Sequence, residues 1–225
     1  MNRLLKIVSA LLLVVLFWLA YSSWTAASSG PAAAIPDAKL DDTLAAKSGQ
    51  STIVLAGGCF WGLQAVFEHV KGVDHVTAGY SGGTVKNPGY EEVSGGRTGH
   101  AESVEIVYDP SKITLGQLLK VFFSVAHDPT ELNRQGPDEG TQYRSEIFFA
   151  TPDQQRIAQA YVDQLNQAKL FSRPIVTQIA PFEAFYRAED YHQDYAILHP
   201  DNPYIAMFDL PKVKNLQHEF PTLYR

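Results

Sequence analysis

Cys59 is the only cysteine of the 225-residue chain, and its surroundings favour a reactive sulfur. The apolar run at residues 52–56 is typical of a buried strand, and apolar residues recur from Leu63 to Val70 at the spacing of one helix face. Glycines at positions 57 and 58 permit a sharp turn between these elements. Cys59 would then stand at a helix N-terminus, where free N–H groups and the helix dipole favour a thiolate. The alternative, a small buried hydrophobic residue, fits this setting less well.

Glu102 is the second residue that could do chemistry. In the predicted strand at residues 100–108, alternation places Glu102 on the same face as Val104 and Ile106, which is the more apolar face. A carboxyl group buried there is costly to ionise, so its pKa should rise toward neutrality. The pattern equally allows a strand-end carboxylate that reaches solvent, and both interpretations stay open.

Two long polar loops carry further candidate residues. The loop at residues 81–99 is rich in glycine and contains Tyr90, and the loop at residues 127–143 contains Asp138 and Tyr143. Loops of this length are uncommon in a compact domain unless they are functional.

Aromatic and histidine side chains give weaker signals. Phe60 and Trp61 would form an apolar wall beside the sulfur, although core packing explains most such pairs. His192 and His199 lack a cysteine or HExxH companion, so we predict no metal site.

Composition excludes several classes of protein. Apolar residues make up 45% and charged residues 19%, which is typical of a globular protein with a sizeable core. The net charge is −6 and no basic run is present, which argues against nucleic-acid binding. A single cysteine cannot form an intramolecular disulfide.

The first residues have the pattern of an export segment. Arg3 and Lys6 precede an apolar run at residues 7–21, which as a helix is ~22 Å long and shorter than the ~30 Å hydrocarbon core. We therefore expect residues 1–27 to be a cleaved signal peptide or, if the run extends to residue 24, an uncleaved membrane anchor. Either segment places the domain outside the cytoplasm, in the periplasm or the extracellular space. Residues 28–48 are predicted to be a flexible linker, and residues 49–225 a single catalytic domain.

The order of elements predicts the fold class. Strands and helices alternate roughly as β-α-β-β-α-β-α-β-α, followed by a proline-containing tail. The two consecutive strands argue against a doubly wound sheet. We predict an α+β two-layer sandwich with a mixed, mainly antiparallel sheet and packed helices, plus an extended C-terminal tail wrapped over the domain.

Several motifs, taken together, resemble the A-type peptide methionine sulfoxide reductases. They occur in order and extend over about residues 53–223. The motifs are GGCFWG at 57–62, GYSGG at 79–83, TGHAE at 98–102, GTQYRS at 140–145 and EDYHQ at 189–193.

This resemblance implies catalytic roles. Cys59 would attack the sulfoxide sulfur and become a sulfenic acid, and Glu102 would protonate the sulfoxide oxygen. Tyr90 and Tyr143 would hydrogen-bond the same oxygen, and Asp138 would hold a water molecule and orient the site.

The resemblance also implies how substrate is selected. Phe60 and Trp61 would pack on the S-methyl group, and Tyr204 would close over the site. The family acts on the S epimer at sulfur, in proteins, peptides and free methionine sulfoxide, and implies no bound cofactor.

Many relatives carry a second cysteine that captures the sulfenic acid, and this chain does not. Its tail resembles relatives with PYI at 203–205 and DxPK at 209–212. We therefore expect a one-cysteine cycle in which an external thiol regenerates the enzyme, either thioredoxin, glutaredoxin or a small molecule. The partners would be oxidised proteins and this reductant, with no nucleic acid, and the enzyme would be a monomer.

Two other functions remain to be tested. A Cys–His hydrolase or acyltransferase would use His100, His127 or His192 as base. A secreted binding module would carry Cys59 as an inert thiol.

Overall fold

Eight strands and six α-helices occur within residues 34–225, the part of the chain that the computed structural model describes. The strands are β1 Ser51–Gly57, β2 Val73–Ser81, β3 Ala101–Tyr108, β4 Arg134–Gln135, β5 Asp138–Glu139, β6 Ser145–Phe149, β7 Gln178–Pro181 and β8 Phe185–Arg187. The helices are α1 Phe60–Glu68, α2 Tyr90–Ser94, α3 Leu115–Val121, α4 Pro152–Ala168, α5 Tyr195–Leu198 and α6 Leu210–Glu219. The predicted signal peptide or anchor at residues 1–27 lies outside the described residues.

Six of these strands form one sheet in the order β7-β6-β1-β3-β2-β8. Every neighbouring pair is antiparallel except β6 and β7, which are parallel. The two short strands β4 and β5 pair with each other in the loop that precedes β6. The sheet is therefore mixed and mainly antiparallel, as predicted.

The helices α1, α3, α4 and α6 share one hydrophobic core with one face of this sheet. Leu55 of β1 and Val104 of β3 are opposite each other in the ladder, and both belong to this core. Leu63 of α1, Leu118 of α3 and Tyr161 of α4 are buried in the same core. The opposite sheet face carries a smaller apolar cluster. This two-layer arrangement confirms the predicted α+β fold class and turns the face that carries Glu102 toward the helices.

Predicted helix starts are confirmed at α3 and α4. The Thr114 Oγ accepts the Gln117 N–H at 3.2 Å while the Gln117 Oε1 accepts the Thr114 N–H at 3.0 Å, which is a capping box. The Thr151 Oγ accepts the Gln154 N–H at 3.2 Å, and a proline occupies the first turn of α4.

The C-terminal tail differs from the extended conformation that was predicted for it. A π-helical segment, Ile205–Asp209, leads directly into α6, so most of the tail is helical. Pro211 stands in the first turn of α6, a position where proline is compatible with a helix. The segment nevertheless packs on the domain, with Leu216 and Ile205 fully buried.

Residues 35–48, part of the predicted linker, have no helix or strand but contact the domain closely. Ile35 is buried in the main core, and the Tyr161 Oη donates to the Pro36 carbonyl at 2.7 Å. Asp41 accepts hydrogen bonds from the Thr114 hydroxyl and the Gly116 N–H at the start of α3. We call residues 35–48 the strap. No helix within residues 34–225 combines the length and the apolarity that a membrane span requires.

Candidate active site

Cys59 is the N-cap residue of α1, at the turn that joins β1 to this helix. Gly58 permits the turn because its φ is +95°, and a Cβ there would lie 2.5 Å from the Gln135 Cγ. The predicted position of the cysteine at a helix start is therefore confirmed. Its side chain is buried, with 8% of the residue exposed.

The expected thiolate is not the resting form of this sulfur. Burial raises the pKa of the Cys59 thiol well above its usual value, and Glu102 and Asp209 raise that pKa further. The N–H of Trp61 and the charge of Lys212 lower it, but burial outweighs both. The prediction of an ionised sulfur is therefore wrong, because the stabilisation at a helix N-terminus is smaller than the cost of removing a thiolate from water.

Glu102 is buried directly beside the start of α1. Only 2% of the residue is exposed, and its Oε2 accepts the Phe60 N–H at 3.1 Å. Burial raises the pKa of Glu102 to about 8, against the lowering effect of the Phe60 N–H and of the Cys59 thiol. Of the two interpretations left open, the interior carboxyl is confirmed. Glu102 is therefore protonated at neutral pH.

Three phenols and a carboxylate gather around this pair. Tyr90 begins α2 and Tyr143 ends the 3-10 turn Thr141–Tyr143, and both are partly buried. Burial and the nearby Glu102 raise the pKa of Tyr90 to about 12 and raise the pKa of Tyr143 as well. Tyr204 from the tail donates a hydrogen bond to Asp138. The phenols are therefore neutral hydrogen-bond donors throughout the neutral pH range.

An aromatic cluster forms the neighbouring wall. Phe60 is fully buried, with its ring centroid 5.0 Å from that of His192. Trp61 stacks on Tyr195 at 4.0 Å and meets Tyr204 edge-on at 6.1 Å. The Trp61 indole is partly exposed and thus forms an apolar wall that an incoming ligand can reach.

Two residues hold these side chains in place, and the sequence analysis assigned neither of them this supporting role. His192 accepts a hydrogen bond from the Trp61 Nε1 at 3.2 Å, which fixes the indole plane. Glu189 accepts the Tyr80 hydroxyl and the Tyr90 N–H, both at 2.9 Å. Both lie in the EDYHQ motif at 189–193, which was the available signal.

The histidines proposed as bases make hydrogen bonds elsewhere. His127 donates to the Phe122 carbonyl and accepts from the Ser145 hydroxyl, and burial lowers its pKa to about 4. His100 bonds the Gly83 N–H and the Val85 carbonyl. Within residues 34–225, no histidine hydrogen-bonds the Cys59 sulfur, so the geometry does not support a Cys–His dyad. In the same residues, no group of three or more His, Cys, Asp or Glu side chains is arranged to hold a metal ion.

Comparison with known proteins gives consistent matches. The family model described as peptide methionine sulfoxide reductase matches residues 51–223. The peptide methionine sulfoxide reductase MsrA 2 of Mesorhizobium japonicum is 60% identical over 179 residues, covering 80% of this chain and 92% of the relative. The MsrA 2 of Synechocystis sp. is 52% identical, covering 83% of this chain and 88% of the relative.

Solved structures agree with these sequence matches. Mxr1 from Saccharomyces cerevisiae in reduced form has a TM-score of 0.64 at 34% identity, covering 73% of this chain and 92% of that chain. Methionine sulfoxide reductase A of Corynebacterium diphtheriae has a TM-score of 0.59 at 38% identity, covering 76% of this chain and 87% of that chain.

A buried thiol paired with a protonated carboxyl, in this fold, defines a thiol-dependent oxidoreductase. The chain belongs to the peptide methionine sulfoxide reductase family, A type. Its activity is the reduction of methionine sulfoxide to methionine.

Proposed function

We propose that the Cys59 sulfur takes the oxygen of the S epimer of methionine sulfoxide, in proteins, in peptides and in the free amino acid. The observation that carries this proposal is the burial of Cys59 beside Glu102 at the start of α1. The thiol and the sulfoxide give a Cys59 sulfenic acid and methionine. The sulfur of Cys59 is oxidised, the substrate sulfur is reduced, and the thiol proton ends on the transferred oxygen.

Glu102 moves the proton in this scheme. Its carboxyl is protonated at neutral pH because burial raises its pKa to about 8, so it can donate to the sulfoxide oxygen as the S–O bond weakens. The carboxylate that remains accepts the proton of the Cys59 thiol. Proton transfer through Glu102 therefore yields the nucleophilic thiolate only when a proton acceptor is bound, which fits a sulfur whose own pKa is raised.

The surrounding residues would orient the substrate. The hydroxyls of Tyr90 and Tyr143 would donate hydrogen bonds to the sulfoxide oxygen. Phe60 and Trp61 would pack on the S-methyl group. Asp138 would orient this polar side of the site through its bond to the Tyr204 hydroxyl and through a bound water molecule.

Regeneration requires a thiol from outside the chain, because Cys59 is the only cysteine. A thiol RSH attacks the sulfenic sulfur, giving a mixed disulfide and water, and a second thiol releases Cys59 and the disulfide RSSR. The reductant is a redoxin, such as thioredoxin or glutaredoxin, or a small thiol.

Turnover of two epimers tests the function. The protein is incubated with dithiothreitol and a peptide that carries either the S or the R sulfoxide, with Cys59→Ser as the matched control. We expect the wild type to reduce the S peptide and the variant to reduce neither. Omitting the thiol should stop the wild type after one turnover, with a dimedone-reactive Cys59. Equal turnover by the variant would refute the role of Cys59, and repeated turnover without thiol would refute the one-cysteine cycle.

We further propose that the enzyme acts outside the cytoplasm. The support is the sequence pattern of Arg3, Lys6 and the apolar run at residues 7–21. Cell fractionation of the full chain, with mass spectrometry of its N-terminus, distinguishes cleavage from anchoring. A charge within the apolar run, Leu13→Arg, should retain the protein in the cytosolic fraction. Recovery of the intact wild type in that fraction would refute export.

A further inference from the structure

The tail places a buried ion pair against the first turn of α1. Asp209 is fully buried, and its Oδ1 accepts a hydrogen bond from the Lys212 Nζ at 3.1 Å. The Lys212 side chain is only 19% exposed. Gly62 makes room for both, because a Cβ at this position would overlap the Asp209 Oδ1 and lie 2.7 Å from the Lys212 Nζ.

This location lies beside the catalytic sulfur. Cys59 is the N-cap residue of α1 and Gly62 is the third helical residue, so the ion pair packs on the helical turn that starts at the sulfur. Asp209 raises the pKa of Cys59, and Lys212 lowers it. A carboxylate at this end of the helix competes with a thiolate for the positive end of the dipole, and an ammonium group opposes that competition.

Stability alone does not explain the pair. The Asp209 Oδ2 is buried and has no hydrogen-bond partner, which is an unfavourable state for a carboxylate. Burial raises the pKa of Asp209, and Lys212 lowers it. A buried ion pair of this kind contributes little net stability.

Four of the other ionisable groups around the sulfur are neutral near pH 7. They are Glu102 of β3, whose pKa is about 8, and the phenols of Tyr90, Tyr143 and Tyr204, whose pKa values are all raised. Asp138 of β5 also faces this site, where it accepts the Tyr204 hydroxyl. From the tail, the two residues that act on Cys59 are Asp209 and Lys212.

We propose that Asp209 and Lys212 are positioning residues for the ionisation of Cys59. Lys212 favours the thiolate and Asp209 opposes it, so the tail sets the reactivity of the sulfur from beneath the first turn of α1. The inference rests on the proposed role of Cys59 as the nucleophile.

Alkylation of the protein by iodoacetamide tests the proposal, since Cys59 is the only thiol. The rate is measured from pH 6 to pH 10 for the wild type, Lys212→Met and Asp209→Asn. At a fixed pH below the midpoint, we expect Lys212→Met to slow the reaction by about three- to tenfold, and Asp209→Asn to accelerate it by a similar factor, the effect of one nearby charge. Lys212→Arg keeps the positive charge and should therefore show the wild-type dependence of alkylation rate on pH. The matched control, Lys214→Met, removes an exposed charge from the same helix and should change nothing.

The opposite effects expected of the two substitutions on the alkylation rate distinguish this mechanism from a structural role. A tail that is merely loosened exposes the sulfur, and alkylation then accelerates in both variants. Acceleration in both variants would overturn the proposal. So would an unchanged pH midpoint of the alkylation rate in both variants. Thermal unfolding checks the fold of each variant. If Lys212→Met does not fold, the test is whether the pH midpoint of alkylation is lower in Asp209→Asn than in the wild type. Failure of the wild type to reduce methionine sulfoxide would overturn the proposed function instead, and would leave the alkylation profiles unaffected.

Discussion

Replacement of Glu102 by glutamine tests the proton transfer on which the mechanism depends. Glutamine has nearly the same size, and its amide oxygen can still accept the Phe60 N–H that the Glu102 Oε2 accepts at 3.1 Å. The amide cannot release a proton to the sulfoxide oxygen, however. We expect the rate of the first turnover to fall by about 10²–10⁴-fold, the usual contribution of a general acid.

The same variant should change stability in a pH-dependent way. The pKa of Glu102 rises from 4.5 to about 8 on folding. Below the lower value both states are protonated. As pH rises from about 4.5 to about 8, the unfolded state has released a proton that the folded state still holds, so the wild type loses stability over this window. Each pKa unit corresponds to about 1.4 kcal/mol, so the total loss amounts to several kcal/mol.

The amide introduced by Glu102→Gln does not titrate, so the variant should become more stable relative to the wild type as pH rises. Urea unfolding at pH 5 and pH 8.5 measures this, and a Cys59→Ser background removes the titration of the thiol from both proteins. Single-turnover reduction is measured separately, in the wild type and in Glu102→Gln, both of which retain Cys59. A wild-type rate in Glu102→Gln would refute the general acid, and a stability difference independent of pH would refute the buried, protonated carboxyl.

Three other substitutions have defined outcomes. Tyr204→Phe removes the hydrogen bond to Asp138, and we expect about a tenfold loss in kcat/KM with little change in the unfolding temperature, measured by peptide turnover and calorimetry. Asp41→Ala removes two hydrogen bonds at the start of α3 and should cost about 0.5–2 kcal/mol in urea unfolding, without a change in single-turnover rate. Gly58→Ala forces a side chain into a positive φ and against Gln135, so both stability and Cys59 alkylation should be altered; wild-type values for both would contradict the strain.

Local signals were sufficient for most of the elements that position the site. The capping residues Thr114 and Thr151 act on neighbours three positions along the chain, so their effect can be deduced from spacing alone. The alternation of β3 likewise predicted the face of Glu102. Strand β8 was missed because a three-residue segment is too short to show a period of two, and its pairing with β2 depends on the tertiary fold.

The ionisation of Cys59 could not be deduced in the same way. The helix start is a local feature, but it is opposed by burial in the tertiary fold and by Glu102 of β3 and Asp209 of the tail, which are far away in the sequence. The tail itself was misjudged because its prolines suggested an extended chain. Pro211 occupies a first-turn position where proline is compatible with a helix, and only the packing of Leu216 in the core shows that the helix forms.

The strap also sets how much of the chain ahead of β1 belongs to the fold. Its contacts start at Ile35, which is buried in the core, and extend to the carboxylate of Asp41 on α3. A peptidase that cut beyond Asp41 would leave the Thr114 hydroxyl and the Gly116 N–H without that acceptor. A chain that keeps both the buried Ile35 and the Asp41 carboxylate therefore has to start ahead of Ile35.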